Sequence, residues 1–277
     1  MIKLQRDRSS IPAKYRGSGL QKQLVKLLEG HYEHADGVPF QLSRFQIWKE
    51  AKPALRGESA GKCAYCECAT DVVAHGDVEH FRPKSTYWWL AFSYDNYTFS
   101  CQICNQTWKG ANFPFQGEQL QPPGPLPANR PADATLESLA HALCPDPASD
   151  NTQELLDCFA DEEADLPHPY LEDPESVFAW QADDLNREVA LVARGTGAAN
   201  QRAFDAAVSC LGLNREELRR LRYPTYESIK AWCLVLQTST QTQLRTAAEQ
   251  QLQAFANATS PFAGMVRHFL REWQVLA

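Results

Sequence analysis

No apolar run in this chain approaches the length a membrane-spanning helix needs. The opening residues, MIKLQRDRSSIPAKYRG, lack the apolar centre of a secretory signal, so a cytoplasmic protein is expected. Long basic runs are absent, which removes a nucleic-acid-binding tail, and no internal repeat is present, which removes a solenoid array. What remains is ordinary globular composition: 277 residues, 44% of them hydrophobic, enough for one large domain or two small ones around a sizeable core.

The nine cysteines are metal ligands or small core residues if the compartment is reducing. Four of them form two Cys-x-x-Cys pairs, Cys63 with Cys66 in KCAYCE and Cys101 with Cys104 in SCQICNQTWKG. Four thiolates complete a tetrahedral structural zinc and leave no open position, so this metal would staple rather than catalyse. Cys68 lies outside the pattern, and Cys144, Cys158, Cys210 and Cys233 are isolated and expected to be buried packing residues.

The net charge of −7 is unevenly spread. Residues 1–62 carry 12 Lys+Arg against 6 Asp+Glu, whereas residues 115–277 carry 12 against 23. A basic head next to the cysteine-rich stretch suits phosphate contacts; equally, charge varies between solvated faces of any protein.

Along the chain, Leu20, Leu24, Leu27, Leu28 and His31 predict a helix over 18–31 that fades at Gly30. His31 and His34, with no acid or cysteine cluster beside them, mark a helix end. Phe45, Ile47 and Trp48 predict a second helix from about Ser43 toward Pro53. A Pro-rich surface loop follows Pro114, and residues 145–175 hold 11 Asp+Glu, no Lys or Arg and several prolines, against a long helix. SVFAWQADDLNREVALVARG reads as two strands around a polar turn. From residue 198 the pattern is helical: Phe204, Ala207, Val208 and Leu211 share a face. Asn214 with Glu217 resembles a capping box for a helix carrying Leu218 and Leu221. A long helix is expected from Tyr226 through Ala256, then a last helix with Ser260 and Pro261 at its start. Its stripe is Phe262, Val266, Phe269, Leu270 and Trp273.

Between the two cysteine pairs lies VEHFRPK, a strand and turn with Pro83 ending the ladder, holding Glu79, His80, Arg82 and Lys84; YDN then supplies Asn96. A Glu-His pair alone means little, since a histidine in a half-apolar strand is usually only packed. The context gives it weight. Hydrolysis of a phosphodiester needs a base near neutral pKa, a divalent ion for the charge on the leaving oxygen, and cations near the phosphate. Glutamate and asparagine oxygens suit Mg²⁺ or Mn²⁺, whereas thiols suit zinc. A helix opening at the second pair would set Asn105 and Lys109 on one face.

These residues resemble the HNH endonuclease superfamily, a two-stranded ribbon packed on a helix around a metal (ββα-metal). The resemblance implies Glu79 as acidic metal ligand, His80 as general base, and Asn96 as the asparagine bracing the base's loop. It implies Asn105 as the last ligand, and leaves Lys109 to phosphate or transition-state charge. KCAYCE, EHFRPK, the aromatic stretch YWWL and SCQICNQTWKG with FP are also similar to the Septu anti-phage HNH proteins (PtuB) and to retron-associated HNH proteins. That likeness covers about 55 residues well. It implies a defence effector acting with an ATPase of the PtuA type.

The expected fold is therefore α+β. A basic helical segment occupies 1–60, a zinc-stapled ββα-metal core occupies 61–115, and an acidic, mostly helical region occupies 116–277. The expected activity is metal-dependent cleavage of nucleic acid, DNA ahead of RNA, with Arg82, Lys84 and Lys109 holding phosphate. The alternatives are a ribonuclease effector, or a zinc module that binds nucleic acid or a partner without catalysis. Residues 115–277 are expected to dock the ATPase; the competing reading is that they pack over the nuclease core.

Overall fold

The computed structural model describes residues 1–35, 47–70, 75–148 and 152–275. It is a mixed α/β chain, mostly helical, with two small antiparallel ribbons. None of its described helices is long and apolar enough to cross a membrane.

Helix α1 spans Gly17–Ala35 and runs past Gly30, because Leu20, Leu24, Leu27, Leu28 and Tyr32 continue one buried stripe. Of the second predicted helix, residues 43–46 lie outside the described residues. The described part is a 3₁₀ turn, Ile47–Ala51, that leads into α2, Lys52–Glu58. Pro53 opens this helix rather than ending it. A first-turn residue has no intrahelical partner for its N–H, so proline costs nothing there.

Strands β1 (Asp77–His80) and β2 (Tyr97–Ser100) pair antiparallel, with Glu79 opposite Thr98 and His80 opposite Tyr97. Phe81 N–H extends the ladder to the Asn96 carbonyl at 2.8 Å. The first cysteine loop is tied to the ribbon where Ala64 N–H donates to Phe99 O at 2.8 Å. A π-helical segment, Ile103–Lys109, follows β2 directly and closes with Gly110 N–H on Asn105 O.

The ribbon stands where two apolar cores meet. Tyr97 and Phe99 belong to the core of α1, α2 and α3 (Asp133–Ala142). Phe81 and all four paired cysteines belong to the other. That second core is built from strands β3 (Phe178–Asp183) and β4 (Glu188–Ala193) and the C-terminal helices. The β3–β4 hairpin is the one expected. The Asp183 carboxylate shapes its turn by accepting from the N–H groups of Leu185 and Asn186, both at 3.0 Å.

Among its described residues the acidic segment holds only short helices, α4 (Thr152–Ala160) and α5 (Pro174–Val177). It is not merely a solvated loop. Glu162 is buried, and an isolated bridge pairs Phe115 with Ala164.

Helix α6 (Ala198–Leu211) buries Ala207 and Leu211 as the stripe predicts. Asn214 does not cap α7 (Glu216–Thr238). Its carboxamide instead bridges the backbone N–H and C=O of Leu191, both at 2.8 Å, locking α7 to β4. Leu221, expected on the buried face, is exposed. The long helix from Tyr226 is two helices, α7 and α8 (Thr242–Ala256), because the polar run Ser239–Thr240–Gln241 breaks it and lets α8 return against α7. Helix α9 (Ala263–Glu272) starts two residues after Pro261, with Phe262 in the left-handed region at φ 57°. Cys144, Cys210 and Cys233 are buried, whereas Cys158 is exposed, contrary to expectation.

Gly212 ends α6 at φ 59°, and its Cβ position is 2.3 Å from a ring atom of Trp108 on the π-helical segment. Two costs coincide there, left-handed strain and a collision with a packed ring. Gly212→Ala is expected to lower stability by about 2 kcal/mol or more in denaturant titration. Gly195→Ala, at φ 68° with nothing within 4 Å, carries only the first cost and is expected to lose roughly 1 kcal/mol. Equal losses would show that the Trp108 contact is slack.

Candidate active site and metal centre

The sulfurs of Cys63, Cys66, Cys101 and Cys104 all lie within 4.8 Å of one another, and all four residues are buried and reduced. Cys66 Sγ and Cys101 Sγ are 3.9 Å apart. A tetrahedron with Zn–S bonds of about 2.3 Å sets its sulfurs about 3.8 Å apart, so the cluster has the dimensions and the chemistry of a zinc site. Among the described residues it is the one group of three or more His, Cys, Asp and Glu side chains close enough to hold a metal ion.

The ribbon places Glu79 and His80, both buried, in the lining of a cavity of about 820 Å³. Asn105, Gln106, Asp77 and Lys84 line it as well. His80 Nε2–H donates to Ala91 O at 3.1 Å, a carbonyl that also accepts from Tyr97 Oη. A carbonyl can only accept, so the proton is on Nε2, and Nδ1 keeps its lone pair. The ring packs edge-to-face on Tyr97 and Trp48, at 5.0 and 5.4 Å between centroids. Burial holds the imidazole down at about 3; Lys84 and Lys109 push the same way, and the Ala91 contact opposes them.

Asn96 does not line the cavity. Its Oδ1 accepts from Arg82 N–H at 2.8 Å and its Nδ2 donates to Arg82 O at 3.0 Å. It therefore pins the backbone just past His80 from both sides. The Asn105 side chain makes no hydrogen bond among the described residues, and it is half-buried in the cavity wall.

Two of the three predicted phosphate contacts are engaged elsewhere. Arg82 is buried, pairs with Glu162 at 2.7 Å and stacks on Phe159, with its guanidinium carbon 3.9 Å from the ring centre. It fastens the ribbon to the acidic segment and does not line the cavity: Glu162 neutralises it there, and the Glu172 carboxylate adds to that field. Lys109 is fully buried, pairs with Glu79 Oε1 at 2.6 Å and donates to His80 O at 3.1 Å. Burial raises the Glu79 carboxyl above its ordinary range, and the Lys109 charge pulls it back.

Lys84 alone of the three reaches the cavity, and it is joined there by Lys49, Lys52 and Trp48 from the 3₁₀ turn and α2. None of these three lysines has a carboxylate within ion-pair distance among the described residues. Lys84 Nζ sits 5.4 Å from the centre of the Trp48 ring. Lys49 and Lys52 were hidden from sequence reasoning by some thirty residues of separation from the Glu-His strand. The one available signal was the basic balance of residues 1–62.

No protein-family model matches the chain, and no solved structure matches it. Among curated proteins it is 32% identical over 128 residues to Septu protein PtuB of Bacillus mycoides (strain KBAB4), covering 41% of this chain and 40% of that protein. It is 46% identical over 55 residues to Septu protein PtuB of Bacillus thuringiensis, covering 20% and 21%. The chain is thus related to the Septu PtuB proteins, and the matches span no more than about two fifths of the relatives' length.

If the four thiols hold zinc, purified protein carries one equivalent by elemental analysis, and Cys101→Ser unfolds at markedly lower temperature because a structural zinc contributes folding energy directly. Soluble, cooperatively folding protein free of zinc would contradict this.

Proposed function

We propose that the chain is a metal-dependent endonuclease of the HNH type, acting in anti-phage defence alongside an ATPase subunit. One observation carries the reading: Glu79, His80 and Asn105 line a single cavity with three lysines that have no carboxylate within ion-pair distance among the described residues. In a protein of net charge −7, unpaired lysines gathered around a histidine and a carboxylate suit an anionic ligand. A module that only bound zinc or a partner would have no use for that combination. Relationship to the Septu PtuB proteins supports the defence context.

In this reading Glu79 and Asn105 are the protein ligands for Mg²⁺ or Mn²⁺, and the donors fit, since both are oxygens on the cavity wall. When bound, the ion supplies stabilisation of negative charge on the departing 3′ oxygen. Lys109 would then share the Glu79 carboxylate. His80 Nδ1 takes the proton of the attacking water, and Nε2–H stays on Ala91 to fix the ring. An imidazole held near 3 is a weak base. An entering phosphodiester neutralises Lys84, one of the charges that depress it, and so offsets part of the fall, while burial, the larger cause, stays. Asn96 keeps the His80 loop in place, and Lys49, Lys52 and Lys84 hold phosphates.

The direct experiment incubates purified protein, with and without its ATPase, with DNA and with total RNA in Mg²⁺ or Mn²⁺. His80→Ala is expected to abolish cleavage while the protein stays folded; cleavage at the wild-type rate would remove the mechanism. Lys49→Gln with Lys52→Gln is expected to weaken nucleic-acid binding and flatten its salt dependence by about one unit of slope per lost phosphate contact. Asn105→Ala should raise the Mg²⁺ concentration needed for half-maximal rate, and Asn96→Ala should lower the rate with little change in that concentration. Identical metal titrations would show that the two asparagines have been given the wrong roles.

A further inference from the structure

Two arginines of the C-terminal half have no carboxylate within ion-pair distance among the described residues: Arg215, which touches a thiol of the cluster, and Arg222, buried against Trp180 and Val189 of the same core that holds the four cysteines. Arg215 precedes α7, and its Nη1 lies 3.6 Å from Cys104 Sγ and 3.1 Å from Gly212 O. Arg222, one and a half turns into the helix, is 0% exposed. Its Nη1 donates to Val189 O at 3.3 Å, its guanidinium lies over Trp180, and its Nε and Nη2 have no hydrogen-bond partner. Neither arginine has a carboxylate within ion-pair distance among the described residues. Glu67, the acid closest in sequence to the first cysteine pair, is held by the Met1 amino group at 2.6 Å, by Lys62 and by the Gly264 N–H.

A buried guanidinium without a counter-charge is strongly unfavourable. Four thiolates around Zn²⁺ carry a net charge of −2, which matches two arginines. We infer that Arg215 and Arg222 are the counter-charges of a dianionic zinc–tetrathiolate centre, so that α7 holds the zinc in place from outside its ligand shell. Burial lowers the Arg222 guanidinium to about 10, and Arg215 pushes the same way; the sulfur of Cys66 is the largest charge opposing that fall, followed by Cys68 and the Glu67 carboxylate. Arg222 is closed to solvent, which excludes nucleic acid or a partner as its purpose. The inference rests on the zinc reading of the cysteine cluster. It goes beyond that reading by making zinc retention a property of a helix more than 100 residues away in sequence.

The test measures zinc release from full-length protein to a chromogenic chelator. Arg215→Gln and Arg222→Met are each expected to speed release about tenfold or more, as loss of outer-shell partners does at other metal sites. Arg215→Lys should restore most of the retention. Arg219→Gln, on the same helix but paired with Glu188 at 2.8 Å, should leave release unchanged. In cobalt-substituted protein, Arg215→Gln should shift the thiolate-to-metal charge-transfer band, which a purely structural role would not move. If Arg222→Met fails to fold, the Arg215 pair of variants decides the matter. Release at the wild-type rate from Arg215→Gln, with an unmoved band, would overturn the counter-charge. Wild-type protein without zinc would overturn the staple and this inference together.

Discussion

Everything near the cavity depends on four thiols being drawn to one point. The ribbon is only four residues long on each strand, too short to be stable alone in water. Cys63 and Cys66 are tied to it through the Ala64–Phe99 hydrogen bond, and Cys101 follows β2 immediately. Gathering these sulfurs fixes where β2 ends and where the π-helical segment begins. That in turn sets Asn105 in the wall of the same cavity as Glu79 and His80. The cavity and the cysteine cluster are therefore two ends of one short rigid unit, with sulfur donors at one and oxygen donors at the other.

Buried charge is the second constraint, and each cation near the site has its own solution. Arg82 is answered by Glu162 and Lys109 by Glu79. Arg215 and Arg222 have no carboxylate within ion-pair distance among the described residues, and Arg215 stands against the Cys104 thiol. Lys49, Lys52 and Lys84 have no carboxylate within ion-pair distance among the described residues either, but they face a cavity where a ligand can supply the charge. The pairing of Arg82 with Glu162 also explains why the acidic segment lies against the ribbon. That part of the C-terminal half packs on the core.

Much of this was legible in the sequence because it depends on local spacing. The two Cys-x-x-Cys pairs, the Pro83 stop after the Glu-His strand and the polar turn of the β3–β4 hairpin are all short-range signals. The pairing of Asn96 with the Arg82 backbone, 14 residues away, was accessible only through the family resemblance. What the sequence hid depends on tertiary neighbours. Arg82 and Lys109 look like free cations until Glu162 and Glu79 are seen beside them. Lys49 and Lys52 reach the cavity only because α2 packs on the ribbon. Asn214 and Glu217 satisfy a capping pattern, yet Asn214 is taken by Leu191, a competition no local pattern records.

The central claim is that one stretch of about fifty residues builds two metal sites of different chemistry. Anomalous diffraction from crystals grown with Mn²⁺, recorded at the zinc and manganese edges, addresses it most directly. The account predicts a zinc peak enclosed by Cys63, Cys66, Cys101 and Cys104, and a separate manganese peak between Glu79 and Asn105. A cavity free of manganese at concentrations that support cleavage, or zinc in the cavity with none among the thiols, would contradict it.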